Sequence, residues 1–184
     1  MDLVVANFFQ NFNGDLFFKI AVVFFGEYLP YILLLFAVIF ILKKEGVLNK
    51  IYSFCFITFS LIISEGILAT LIKFLVKREK PSDLLSNASV IIESSGFSFP
   101  SDHAVFFFTL AFAIYYFNKR WGLWYIVFAF FIGLARIASN VHWVTDVVGG
   151  IVISLIGFLI TYILMKNYYP DKKAAKLNPS GLTL

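Results

Sequence analysis

His142 and Asp146 stand four residues apart in the sequence, one helical turn, so their side chains can meet. In such a pair the aspartate fixes the imidazole tautomer through one nitrogen and leaves the other as a nucleophile. Arg136, six residues upstream of His142, adds a planar fork of donors suited to phosphate oxygens. Two other readings are open at this point: a metal-binding pair, and a buried pair that only satisfies itself. The chain has just two histidines, which argues against a closed metal site. No metal and no cofactor are expected.

The second histidine, His103, closes the run Phe99-Pro-Ser-Asp-His, directly before the apolar residues 104–117. Pro100, Ser101 and Asp102 in that place are helix-start signals. The free N–H groups and positive dipole end of such a helix favour a bound anion. Ser101 can then cap the helix or donate to a phosphate oxygen; the alternative is an ordinary N-cap beside an incidental histidine. A third cluster runs from Lys73 to Lys80 and Pro81. The two lysines are seven residues apart, about two turns, which predicts both on one side of a helix that Pro81 ends. They form either a phosphate clamp or a pair of snorkelling lysines at a helix end.

The elements that carry these clusters are membrane helices. Of 184 residues, 60% are hydrophobic and 14% charged, against about 25% charged in soluble domains. The mean hydropathy is +0.87. So few charges cannot cover a water-exposed surface, so lipid must cover much of it. The net charge of +4 is scattered and small, which excludes nucleic acid as the partner and fits a membrane-surface bias. Residues 28–42 (extended backward by 20–26), 51–76, 105–117 with its motif-bearing start, 121–137 and 144–165 are the expected spans. Residues 1–25, with phenylalanines among polar groups, suit an interfacial or partly inserted segment. No basic start or small-residue cleavage site precedes them, so no cleaved signal peptide is expected. Cys55 lies inside an apolar run and reads as core filler, and the stretch from Pro170 reads as a polar, mobile tail. The expected fold is all-α, an integral membrane bundle of five to six transmembrane helices forming one domain over residues 1–184.

Five spans put Lys43, Lys44, Lys50, Lys119, Arg120, Lys166, Lys172, Lys173 and Lys176 on one face, which the positive-inside rule makes cytoplasmic. All three clusters emerge on the other. The site is therefore expected on the extracytoplasmic side of a multi-pass protein of the cell (inner or plasma) membrane.

Taken together, lysine, six residues, a basic residue and proline; then Pro-Ser-x-His; then arginine, five residues, histidine, three residues and aspartate resemble the type-2 phosphatidic acid phosphatase (PAP2) superfamily. The likeness spans Lys73 to Asp146. It implies a PAP2/haloperoxidase-like bundle and a metal-free histidine phosphatase. His142 would attack phosphorus with Asp146 orienting it, while His103 protonates the leaving oxygen and then activates water. Lys73, Lys80, Ser101 and Arg136 would hold the non-bridging oxygens, helped by the backbone N–H of Asp102.

Three positions depart from the family pattern: Lys80 stands for an arginine, Ala135 for a serine and Asp102 for a glycine. A carboxylate at Asp102 should weaken anion binding unless it turns away or pairs with a lysine. Pro-Ser-Asp-His, with Gly26-Glu-Tyr-Leu-Pro30, is nevertheless similar to the bacterial undecaprenyl-diphosphatases of the bacitracin-resistance type. That likeness implies a polyprenyl diphosphate substrate among membrane lipids. Phosphatidate, phosphatidylglycerophosphate or a lipid A phosphate is the alternative, and a lipid-phosphate binding or transport module without catalysis is the alternative from another class. Residues 82–98 are apolar enough to lie on the membrane as a lid, or are a plain connector. Glu65 lies within an apolar span, eight residues before Lys73, and either pairs with a polar group in the bundle, reads the substrate or serves packing; Glu27, near the other helix entry, has the same readings.

Overall fold

The computed structural model describes residues 2–12, 14–85, 90–92 and 95–170. The tail expected from Pro170 lies, past that residue, outside the described residues, whose regular elements are all helices, with no strand among them.

A short helix, α1 (Asp2–Gln10), comes first. The first long helix, α2 (Leu16–Leu42), starts at Asp15, whose carboxylate accepts from the backbone N–H groups of Phe17 (2.7 Å) and Phe18 (3.3 Å). Those are donors that a helix start leaves open. The helix widens into a π-helical turn at Phe24–Tyr28, immediately before Pro30. There the proline ring removes a donor and crowds the preceding turn. The interfacial unit expected over residues 1–25 is therefore divided: only α1 stands apart, and residues 16–25 belong to the first span.

Helix α3 covers residues 47–76, with a π-helical stretch at Ile62–Ala69. It ends at Lys77, whose backbone turns left-handed (φ +48°) and returns its N–H to the Lys73 carbonyl at 3.1 Å. Lys80 is thus not on this helix. The expectation of Lys73 and Lys80 two turns apart on one helix is wrong, and Pro81 does not end a helix but begins the short α4 (Pro81–Leu84). Proline favours a first helical position because no partner awaits its missing N–H.

Three helices complete the bundle: α5 (Asp102–Phe117), α6 (Lys119–Ala138) and α7 (Val144–Met165). Four stretches are long and apolar enough to cross a membrane: Leu16–Leu42, Val47–Leu84 (α3 with the turn and α4 that follow it), Lys119–Ala138 and Val144–Tyr168. The other expected span, 105–117 with its motif-bearing start, is α5, of 16 residues, about 24 Å at 1.5 Å per residue. It is also the central helix. Ala104, Val105, Leu110, Ala111, Ala113 and Ile114 are at most 1% exposed, held against α3, α6 and α7. The outer surface carries the opposite pattern, with Tyr31, Leu35, Trp124 and Ile163 all exposed. In water so much apolar surface would aggregate; here it meets lipid. The protein is a multi-pass membrane bundle.

The helices approach closely where side chains are small, as membrane packing requires. A Cβ at Gly150 would lie 2.7 Å from Ala104 Cβ and 3.2 Å from the Ser101 carbonyl, so α7 sits directly on the start of α5. About two turns further along, Gly157 faces Ser64 in the π-helical stretch, where a Cβ would come within 2.9 Å of the Ser64 Cα. Replacing Gly157 by valine forces backbone apart, and overpacking of this kind costs about 1–3 kcal/mol or more. The expected result is a lower thermal midpoint of the detergent-solubilised protein; an unchanged midpoint would refute the close contact.

Candidate functional site

The three clusters meet at one end of the bundle, the end where α3 stops, α5 and α7 start and α6 stops. The turn between α6 and α7 carries His142. Asn140 in that turn has φ +57°, a left-handed conformation that asparagine tolerates, and its carbonyl accepts the Ser82 N–H at 3.0 Å. His142 is 3% exposed. Its Nδ1 lies 2.8 Å from the carbonyl oxygen of Ser98, and 3.8 Å from Asp146 Oδ2. A carbonyl can only accept, so Nδ1 carries the proton and Nε2 keeps a lone pair. The expected orienting role of Asp146 is therefore shared. Ser98 makes the hydrogen bond, and the carboxylate acts across a longer electrostatic gap.

Asp146 has no solvent contact. Its Oδ2 accepts from the Trp143 backbone N–H at 2.7 Å and from the Ser98 hydroxyl. Its Oδ1 accepts from Arg78 at 2.6 Å. Ser98 thus serves both members of the pair, with its carbonyl on the imidazole and its hydroxyl on the carboxylate.

Ser101 precedes α5, and its backbone N–H donates to the Asp146 carbonyl at 3.2 Å. Its side chain makes no cap bond, and the buried Oγ has no partner among the described residues. Arg136 is 2% exposed and its Nε is likewise unpartnered; one terminal nitrogen faces Glu27 Oε1 at 3.8 Å. Two buried donors without acceptors are costly in an apolar bundle. Lys80 is also buried, within electrostatic reach of Arg136, Lys73 and Asp102. Asp102 pairs with Lys73, which answers the repulsion expected of a carboxylate beside an anion site. Glu65, brought round by the π-helical stretch, lies beside that pair.

His103, in the first turn of α5, lies within electrostatic range of His142, Arg136, Asp102 and Lys73. It opens onto a groove of about 280 Å³ lined by Pro30, Tyr31, Leu34, Glu65, Asp102, Phe106 and Phe107. A larger groove of about 490 Å³ lies at the Arg120 end of α6, far from both histidines. Of the segment 82–98, residues 86–89, 93 and 94 lie outside the described residues. Ile92 does not lie out on the membrane. It is 4% exposed and packs with Val22, Ala135 and Ala138.

All eight residues singled out from the sequence, Lys73, Lys80, Ser101, Asp102, His103, Arg136, His142 and Asp146, belong to this end. The sequence did not point to Ser98, whose part is played largely by its backbone, nor to Arg78, which stood among other basic residues without a motif position. Among the described residues, no group of three or more His, Cys, Asp or Glu side chains gathers as a metal ion would need.

Apolar helices around a neutral imidazole, a fully buried carboxylate and a group of buried cations define the class: a multi-pass membrane protein with a polar site at one end. Residues 53–170 match the PAP2 superfamily, and the chain belongs to it. It is 32% identical over 142 residues to the bacitracin transport permease protein BcrC of Bacillus licheniformis, covering 77% of this chain and 68% of that one. It is also 38% identical over 68 residues to YbjG of Escherichia coli (strain K12), named as a candidate undecaprenyl-diphosphatase, covering 36% and 34% of the two chains. Its fold is that of LpxE from Aquifex aeolicus, with TM-score 0.66, 24% identity and coverage of 87% and 93%. The phosphatidylglycerolphosphate phosphatase of Bacillus subtilis superposes with TM-score 0.61 and 17% identity, covering 90% and 85%.

Burial holds the His142 imidazole below the ordinary histidine range, against the Asp146 carboxylate and the Ser98 carbonyl, which raise it. A depressed histidine pKa means that the folded protein refuses a proton which the unfolded chain takes up at about 6.5. Stability is therefore full above that value and falls as pH drops through it. Nitrogen-15 spectra of histidine-labelled protein in detergent should show His142 as the neutral Nδ1–H tautomer at pH 6. A charged imidazolium there would contradict the assignment.

Proposed function

We propose that the protein is a metal-free lipid phosphatase that hydrolyses a polyprenyl diphosphate, undecaprenyl diphosphate foremost, to the monophosphate and inorganic phosphate. The observation that carries this is the meeting of a neutral His142, its Nδ1 held by Ser98, with the unpartnered donors Ser101 Oγ and Arg136 Nε. The groove at His103 supports a lipid substrate, because its apolar wall begins where the phosphate cradle ends.

In this reading His142 Nε2 attacks the terminal phosphorus, forming a P–N bond as the P–O bond to the lipid monophosphate breaks. His103 gives its proton to that leaving oxygen. It then takes a proton from water, whose oxygen attacks phosphorus and breaks the P–N bond, releasing inorganic phosphate. Asp146 supports the positive charge on the phosphorylated imidazole. Lys80, Arg136, Ser101 and the Asp102 backbone N–H hold the non-bridging oxygens, where charge builds up in the transition state. Lys73 joins them by exchanging Asp102 for phosphate.

The polyprenyl chain is favoured by the Pro-Ser-Asp-His run and by the relatives, one of which is named for an undecaprenyl-diphosphatase activity. Phosphatidate, phosphatidylglycerophosphate and lipid A phosphates use the same headgroup chemistry and are the comparison substrates. A non-enzymatic reading draws on the other relative, which is named as a transport permease. The whole chain serves as one domain. The site faces the extracytoplasmic side, because Lys43, Lys44, Lys50, Lys119, Arg120 and Lys166 gather at the opposite end.

Purified protein in detergent, given this panel, should release phosphate fastest from undecaprenyl diphosphate; a faster rate on phosphatidate would reverse the order. His142→Ala should lose at least about 10⁴-fold in turnover while still inserting and folding, the scale on which loss of a nucleophile acts. Normal release by that variant would sink the phosphohistidine route and leave the transport reading. For orientation, Ser82→Cys in intact cells should react with a membrane-impermeant maleimide. Labelling only from the cytoplasmic side would overturn the extracytoplasmic placement.

A further inference from the structure

Arg78 occupies the four-residue turn between α3 and α4 that the left-handed Lys77 opens. That turn throws its side chain across the start of α7. One guanidinium nitrogen donates to Asp146 Oδ1 and to Thr145 Oγ1, both at 2.6 Å. The other donates to Asp2 Oδ2 at 2.9 Å. The Thr145 hydroxyl in turn donates to the same Asp2 oxygen at 2.5 Å. The plane lies over the Trp143 ring, 5.4 Å from its centroid, and the Trp143 indole N–H is itself held by the Glu79 carbonyl at 3.0 Å. The backbone of Arg78 contributes as well, since its carbonyl accepts the Ser98 N–H at 2.8 Å. Ser98 is the residue whose carbonyl holds His142. Arg78 therefore bears on both halves of the His142–Asp146 pair, through its side chain on one and its backbone on the other.

Asp2 completes the chain from the far end of the sequence. It belongs to α1, the helix that composition places at the membrane surface, yet its carboxylate is engaged inside the protein. Burial alone would raise that carboxyl, but the Thr145 hydroxyl and the Arg78 guanidinium outweigh it and hold it below the usual aspartate range. A guanidinium can serve two carboxylates at once because its donors fan out in a plane. Here one edge serves Asp146 and the next serves Asp2.

We infer that Arg78 is a positioning residue of the site, fixing the Asp146 carboxylate behind His142, and that Asp2 of the N-terminal helix fixes Arg78 in turn. This rests on the phosphatase reading for its kinetic consequence but not for its geometry. A buried carboxylate held by a guanidinium, a hydroxyl and a backbone N–H keeps one orientation. Without the guanidinium it keeps only the contacts on Oδ2, and its distance to the imidazole is no longer set. The N-terminal helix is in this view a part of the site. Its phenylalanines pack against α2, with Phe9 and Phe18 stacked at 6.1 Å, which carries Asp2 to Arg78.

The test is a double-mutant cycle on the full chain in detergent, read by turnover of the best lipid phosphate and by nitrogen-15 spectra of His142. Arg78→Gln should lower kcat by about 10- to 100-fold, the worth of a hydrogen bond to a charged group, with KM changed by less than about twofold. Arg78→Lys should recover part of the loss, and Asp2→Asn should cost less than Arg78→Gln. In an Asp146→Asn background, Arg78→Gln should add little, because the carboxylate through which it acts is gone. The His142 nitrogen signals should move in Arg78→Gln and Asp146→Asn alike, with no further movement in the double variant. Losses that multiply, or His142 signals untouched by Arg78→Gln, would overturn the assignment. A wild type that turns over no lipid phosphate would overturn the phosphatase reading instead, and the spectra would still decide the role of Arg78.

Discussion

A carboxylate taken wholly out of water loses its hydration and must be given donors in return, or it will take up a proton. Asp146 is the group on which that demand falls hardest, and the surrounding structure is organised to meet it. Its donors come from three separate stretches of chain: Trp143 on its own turn, Ser98 from the segment before α5, and Arg78 from the turn after α3. No one of these stretches can shift without unpairing a buried charge. That is why the end of α3, the beginning of α5 and the beginning of α7 hold a common arrangement. His142 is set within it by the same Ser98 that serves Asp146.

The cations around this centre obey the same rule. Lys73 is paired with Asp102, Arg136 faces Glu27, and Arg78 lies between Asp2 and Asp146. Glu27 and Glu65 both lie in π-helical stretches, where the extra residue in the turn rotates side chains away from the faces an α-helix would present. Charge inside this apolar bundle is balanced locally, and among the described residues Ser101 Oγ and Arg136 Nε are the donors left without an acceptor at this end. The Asp102 that departs from the family's glycine becomes intelligible on this footing. It holds Lys73 in place at the mouth of the groove leading to His103.

Much of this was legible in the residues. The spans reflect the free energy of burying apolar side chains in lipid, a property of composition that needs no coordinates. The His142–Asp146 spacing pointed to a pair that does meet, but not by helical pitch: His142 lies in the turn before α7, and that turn brings its ring to the first turn of the helix. Ser101, His103 and Arg136 were legible as polar groups at the ends of apolar helices, where such groups are costly unless used. The places where the sequence misled are those where local geometry breaks without a sequence signal. Lys77 adopts a left-handed conformation that lysine rarely takes, so α3 stops early and Lys80 arrives from a turn. Asp15, and not a residue near 20, caps the first span, accepting from the Phe17 and Phe18 backbone N–H groups.

What the sequence determined by itself is the solvent this protein lives in, the apolar stretches that cross it, and the residue types gathered at one end. These depend on sums over many side chains or on the fixed pitch of a helix. The partners of those residues were decided only by the tertiary structure. The acceptor on His142 is a backbone carbonyl, which every residue carries and no residue type announces. The cation on Asp146 is one of several basic residues in the segment 73–80, and what selects Arg78 over its neighbours is the direction of a single turn. Contacts between stretches distant in the chain depend on where backbones pass. That information appears only when all the helices are packed together.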